Sequence, residues 1–172
     1  MKAGLRRGFT LVELVIVISI LAILSGVLVP RVSNHMKAAR DARRLADIKN
    51  VRNAIEQFFM DKGEFPHPNV NSSFGGWDVS HDGNFIRDLA NYGYLDEDPA
   101  DPINDTSYHY RYYVYDEGTY DCEGAGPFYV LGVLQFESAE FALKHRGFFK
   151  CSGRNWGDEF AYVTGGGQGF RR

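Results

Sequence analysis

Gly8-Phe9-Thr10-Leu11-Val12-Glu13-Leu14 opens an apolar stretch that continues to Val29 and ends at Pro30-Arg31. Within residues 9–29 the polar side chains are Thr10, Glu13, Ser19 and Ser25. A helix rising about 1.5 Å per residue over that length spans roughly 30 Å, enough for the hydrocarbon core of a bilayer. A carboxylate at the centre of such a helix is unfavourable by roughly 2.5–3.5 kcal/mol. Glu13 therefore marks a functional position, and it sets the reading of the whole chain. A secretory signal peptide would have a shorter apolar region followed by a small-residue cleavage site. Residues 22–31 offer no such site, so the helix reads as a retained anchor.

Lys2, Arg6 and Arg7 precede the span, which favours a cytoplasmic N-terminus. Arg31, Lys37, Arg40, Arg43 and Arg44 follow it, so charge alone casts a weak vote. Two cysteines further on place the C-terminal part outside the cytoplasm. Charge is divided unevenly. Residues 1–62 hold 11 Lys+Arg and 5 Asp+Glu, a net of +6, whereas residues 63–172 hold 8 and 17, a net of −9; the whole chain carries −3. A basic stem and an acidic head are suited to attract each other between stacked copies.

The basic leader, Gly8-Phe9-Thr10-Leu11-Val12-Glu13-Leu14 and the apolar run behind it resemble the class III signal of bacterial type IV pilins and type II secretion pseudopilins. That resemblance implies a cleaved leader at residues 1–8, cut between Gly8 and Phe9, with Phe9 then N-methylated. Glu13 becomes the fifth residue of the mature chain, where it serves filament assembly by pairing with the terminal amine of a neighbouring copy. Two costly isolated charges then become one pair. Pro30 falls where the family carries a helix-breaking proline. The implied partners are copies of the chain itself in a helical filament, the prepilin peptidase and N-methyltransferase, and an inner-membrane assembly platform with its ATPase. The membrane holds the subunit before assembly, and nucleic acid enters only if the filament takes up DNA. The implied localisation is the inner membrane as a single-pass precursor, then an extracellular or periplasmic filament.

The organisation follows. Residues 9–29 form the transmembrane and filament-core helix, residues 30–62 an amphipathic stalk helix, and residues 63–172 a globular head. Pro30 removes a backbone donor, which predicts a kink or local unwinding. Val32, Met36, Leu45, Ile48, Val51, Ile55, Phe58 and Phe59 recur at spacings of three and four and mark one apolar face. Gly63, with Pro66 beyond it, is the expected C-cap. Residues 65–93 read as an ordered loop region with a short helix over residues 84–92. Strands are expected at residues 108–115, 128–136 and 160–164, with a short helix over residues 137–145. The glycine-rich tail from Gly165 onward reads as flexible. The fold class is α+β: the pilin fold, a long N-terminal helix packed by an antiparallel sheet of about three to four strands. All ten tyrosines lie between residues 92 and 162. A sheet packed on the stalk accounts for most of them, and a glycan- or surface-binding face is the alternative.

Cys122 and Cys151 are the chain's two cysteines. They lack C-x-x-C spacing and a histidine partner, so a disulfide is the expected pairing. Asp98, Asp101 and Asp105 sit in an acidic turn with oxygen ligands suited to calcium. The turn has no EF-hand pattern, but its position resembles the Asp-Pro loop that binds calcium in major pseudopilins. Calcium is therefore the one cofactor to consider. The sequence carries no phosphate loop, no nucleophile with a histidine signature and no zinc spacing. The chain reads as a structural subunit and not an enzyme: a pilin of a type IV pilus serving adhesion, twitching motility or DNA uptake. The alternatives are a type II secretion pseudopilin and a monomeric membrane-anchored binding protein.

Overall fold

The computed structural model describes residues 8–168, with Val27, Leu28 and Pro30 described in their backbone only. The chain divides into two compact units after Lys37.

In the first unit, helix α1 (Leu11–Lys62) begins two residues after Phe9. Leu11, Leu14, Ile16, Ile18, Leu21 and Ile23 are all exposed. The helix is long and apolar enough to cross a membrane by length and composition. The unwinding predicted at Pro30 is not found, because α1 runs through that position as one element. Proline removes a single rung, and the apolar turns on either side keep helical geometry around it.

In the second unit, the last part of α1 lies against a four-stranded antiparallel sheet of order β1-β2-β3-β6. The strands are β1 (Asp78–Val79), β2 (Tyr110–Tyr115), β3 (Phe128–Val133) and β6 (Tyr162–Gly167). Tyr112 faces Leu131 across β2 and β3, and Leu131 faces Thr164 across β3 and β6. Helices α2 (Arg87–Asn91) and α3 (Ala139–Lys144) and the hairpin β4 (Lys150–Cys151) with β5 (Arg154–Asn155) complete the head. Each predicted strand and short helix has a counterpart, shorter or shifted by a few residues.

The core lies on both faces of the sheet. On one side Ile48, Val51, Ala54, Ile55 and Phe58 of α1 pack on Tyr110 and Tyr112 of β2 and on Tyr129, Leu131 and Val133 of β3. On the other side Phe128 and Val130 meet Trp77, Phe149, Trp156 and Phe160. Six consecutive buried residues in β3 follow from this, since a strand covered on both faces cannot alternate. The apolar stripe read from the sequence begins too early: Val32 and Met36 are exposed. Gly63 ends α1 as expected, with φ +79° and its amide donating to the Phe59 carbonyl at 2.8 Å.

The tail expectation is corrected in part. Gly165, Gly166 and Gly167 are paired in β6 with Val130, Tyr129 and Phe128, and residues 169–172 lie outside the described residues. Glycine is needed at 165 because a Cβ there would meet the Tyr129 carbonyl oxygen at 2.5 Å and the Phe149 ring at 2.6 Å.

Candidate functional site

Gly8 and Phe9 are exposed and precede the first turn of α1. Thr10 caps that turn: its carbonyl accepts from the Leu14 amide at 3.2 Å, and its hydroxyl oxygen accepts from the Glu13 amide at 3.2 Å. Glu13 answers in the other direction. Its Oε2 accepts from the Thr10 amide and from the Thr10 hydroxyl, both at 2.8 Å. This is the reciprocal Thr-x-x-Glu arrangement in which cap and third helical residue satisfy each other's amides. The three-residue spacing of Thr10 and Glu13 is the sequence signal for this pairing. Oε1 of Glu13 makes no hydrogen bond among the described residues. The arrangement fixes one carboxylate oxygen and leaves the other presented at the exposed start of the helix.

A second constellation ties α1 to the head. Arg44 is fully buried. Its Nε and Nη2 donate to the two Asp101 oxygens at 2.6 and 2.9 Å. Its Nη1 donates to Asp41 at 2.6 Å and to Glu137 at 2.9 Å. Arg40 holds the same Glu137 with two bonds of 2.7 and 2.6 Å. Asp41 in turn accepts the amides of Glu137 and Ser138 at the start of α3, and the Tyr108 ring lies 4.9 Å from the Arg44 guanidinium carbon. Burial alone would lower Arg44, but the bonds from Asp101, Glu137 and Asp41 outweigh it and hold the group above the ordinary arginine range. The Arg40 bond, with Arg44 behind it, holds the Glu137 carboxyl down at about 2.

This network settles where the acidic turn points. Asp98, Asp101 and Asp105 are not brought together: among the described residues no group of three or more His, Cys, Asp or Glu is placed to hold a metal ion. Both Asp101 oxygens bond Arg44, and Asp105 Oδ1 accepts the amides of Ser107 and Tyr108 at 2.8 Å each. The charge that organises Asp101 is a guanidinium supplied by α1. Cys122 and Cys151 do form a disulfide, which fastens β4 to the turn that follows β2 on the outer face of the sheet. A further acidic group was not singled out from the sequence. Asp78 is fully buried, its Oδ2 accepting the amides of Asn69 at 2.8 Å and Ile86 at 3.0 Å while Oδ1 has no partner among the described residues. Burial raises its carboxyl to about 7, against the pull of those two amides.

Residues 5–29 match the family model described as the prokaryotic N-terminal methylation motif. Over 130 residues the chain is 30% identical to the type II secretion system core protein G of Escherichia coli (strain K12), covering 71% of this chain and 82% of that protein. The chain belongs to the type IV pilin and pseudopilin family. It is also 34% identical over 84 residues to the type IV major fimbrial protein FimA of Dichelobacter nodosus, covering 48% of this chain and 51% of that protein. With the type IV major pilin protein PilE1 of Neisseria gonorrhoeae it shares 25% identity over 85 residues, 49% of this chain and 52% of that one. The chain thus spans about half the length of these fimbrial relatives. No solved structure gives a significant match. The long helix under an antiparallel sheet is the pilin fold, and the chain is a pilin-family structural subunit. Its methylation motif and apolar helix fit a membrane-anchored subunit that assembles into a filament.

Proposed function

We propose that this chain is the repeating subunit of a type IV pilus, released for assembly by cleavage between Gly8 and Phe9 and methylation of Phe9. The observation that carries the reading is the state of Glu13. One carboxylate oxygen is held by Thr10 of the same chain, and the other makes no hydrogen bond among the described residues. Cleavage before Phe9 leaves both Thr10 groups intact, so the capped helix start survives maturation with a new amine one residue before it. The amine of a neighbouring copy then supplies the second partner that Glu13 lacks. A desolvated carboxylate and ammonium are each costly alone and are relieved together. The exposed apolar side chains of residues 9–24 exchange lipid for one another as copies stack. The leader stays cytoplasmic and the head faces outward, with the peptidase, the assembly platform and its ATPase acting at the membrane.

A second reading, a pseudopilus subunit of a type II secretion system, is favoured by one observation: the match to core protein G extends over most of both chains. Against it stands the acidic turn, which Arg44 organises through Asp101. Mass spectrometry of filaments sheared from cells tests the shared part. A chain beginning at methylated Phe9 is the expected result, and full-length chain confined to the membrane fraction refutes polymerisation. Deleting the gene separates the two machines, because loss of surface filaments with normal protein export supports the pilus and the reverse supports the pseudopilus. Glu13→Ala is expected to stop assembly while membrane insertion persists; normal filaments from that variant refute the charge-pairing account.

A further inference from the structure

The outer face of β2 carries a groove of about 630 Å³ that the assembly reading leaves unused. Residues 111, 113 and 115 alternate onto this face, so Arg111, Tyr113 and Tyr115 stand in a row, with Phe74 and Trp77 along one side and Tyr120 at the end. Ring pairs line it: Trp77 lies 5.9 Å from Tyr113, and Tyr113 lies 4.7 Å from Tyr115. A volume of this size, lined by tyrosine rings and by the polar groups of Arg111, Asp116, Thr119 and Arg154, has the dimensions of a site for a small polar ligand.

The charge balance in the groove is uneven. Arg154 is paired with Glu159 at 2.9 and 2.8 Å and donates to the Tyr120 hydroxyl at 2.7 Å. Arg111 has no ion pair of this kind among the described residues, and feels Glu159 only at longer range. Its Nε donates to His109 Nε2 at 3.0 Å, and its guanidinium carbon lies 5.8 Å from the centre of the Phe74 ring. Since Nε2 accepts, the His109 proton sits on Nδ1, where it meets the Asp105 carbonyl at 3.0 Å. Burial holds His109 down at about 4, so a neutral ring aims Arg111 without adding charge. Among the described residues no carboxylate lies within ion-pair distance of Arg111, and its two Nη groups make no hydrogen bond. A half-buried cation with two free donor groups beside aromatic faces is complementary to a planar anion on a ring-shaped ligand.

We propose that this groove binds an acidic saccharide, with the carboxylate of a uronic-acid-type sugar on the Arg111 Nη pair and adjoining sugar rings against Tyr113, Tyr115 and Tyr120, while the buried Trp77 backs the floor of the groove. The ligand is a sugar and not a nucleic acid because, among the described residues, the groove offers a single cation outside an ion pair. Phosphate-chain binding draws its strength from several basic contacts. Residues 63–172 instead carry −9, and Asp116 lines the groove itself. An isolated carboxylate meets a single arginine without crossing that field repeatedly. The proposal goes beyond filament assembly and is independent of it.

The test uses the unassembled full-length chain in detergent micelles, with tyrosine and tryptophan signals followed by NMR as trigalacturonate is added. Saturable binding is expected, weaker by about tenfold or more for the neutral galactose trimer and for Arg111→Gln, the factor for one charged hydrogen-bonded contact. Tyr120→Ala, at a more exposed ring, is expected to weaken binding too, and decides the matter if Arg111→Gln does not fold. Equal binding of charged and neutral trimers, unchanged binding in either folded variant, or tighter binding of a short single-stranded oligonucleotide overturns the assignment. So does the absence of saturable binding. Glu13→Ala subunits are expected to bind normally, which separates failure of this site from failure of assembly.

Discussion

Replacing Arg44 with methionine removes a buried cation that four hydrogen bonds connect to Asp41, Asp101 and Glu137. The losses differ among the three carboxylates. Glu137 keeps both Arg40 bonds, and Asp41 keeps the amides of Glu137 and Ser138. Asp101 loses most from the change: it is 4% accessible and retains only the amides of Ile103 and Asn104. Removing one partner of a buried pair costs about 3–5 kcal/mol, because a charge is left in a dry site. For a unit of this size that corresponds to a fall in melting temperature of roughly 10–20 °C. Urea unfolding followed by near-ultraviolet circular dichroism, in micelles, measures it. The double variant Arg44→Met with Asp101→Leu should recover part of the loss, since apolar residues replace both charges and only the Ile103 and Asn104 amides stay unsatisfied. Acid sharpens the test. The Glu137 carboxyl is held down at about 2, so its contribution is present above the usual value of 4.5 and is lost as pH falls toward 2. With one of its two arginines gone, the variant should lose less over that window. A loss under about 1 kcal/mol, or no recovery in the double variant, would refute the network as the clamp between α1 and the head.

Asp78→Asn should flatten the pH profile of stability. The folded carboxyl titrates near 7 and the unfolded one near 3.8, so this group's contribution is full below pH 4 and falls by on the order of 4 kcal/mol as pH rises from 4 through 7. Parallel profiles from pH 4 to 8 would contradict this. Serine in place of Cys122 should lower stability by about 3–4 kcal/mol, the loop entropy for a separation of 29 residues, read as a shift in urea midpoint that reductant reproduces in the wild type. Gly165→Ala should destabilise by about 1–3 kcal/mol, since its Cβ would have to displace the Phe149 ring and the Tyr129 carbonyl; an unchanged melt would show that the C-terminal cover gives way freely.

The sequence disclosed the elements whose cause is local. Helix α1 follows from its apolar run and its Gly63 stop, and β2 and β3 from dense aromatic and branched residues. The Thr10–Glu13 pair was equally local and was legible in the three-residue spacing. What could not be read was set by distant partners. Arg44 looked like one more basic residue on a solvated face, and only its meeting with Asp101 and Glu137, 57 and 93 positions away, makes it buried. The same meeting engages both Asp101 oxygens, which the acidic turn alone did not disclose. Gly165, Gly166 and Gly167 have poor intrinsic strand preference, so local pattern alone gives a tail there. The Tyr129 carbonyl and the Phe149 ring, which approach too closely for a side chain, make glycine the residue that fits.

The order of contacts along α1 has a mechanical consequence. Within the second unit, Arg40, Asp41 and Arg44 precede Ile48, Val51, Ile55 and Phe58. A pull entering that unit along the helix therefore strains the ionic ties to Asp101 and Glu137 before it reaches the apolar seam. Those ties are short-ranged and directional, whereas the seam beneath them yields gradually. Traction on the subunit would meet a stiff catch first and a compliant grip behind it.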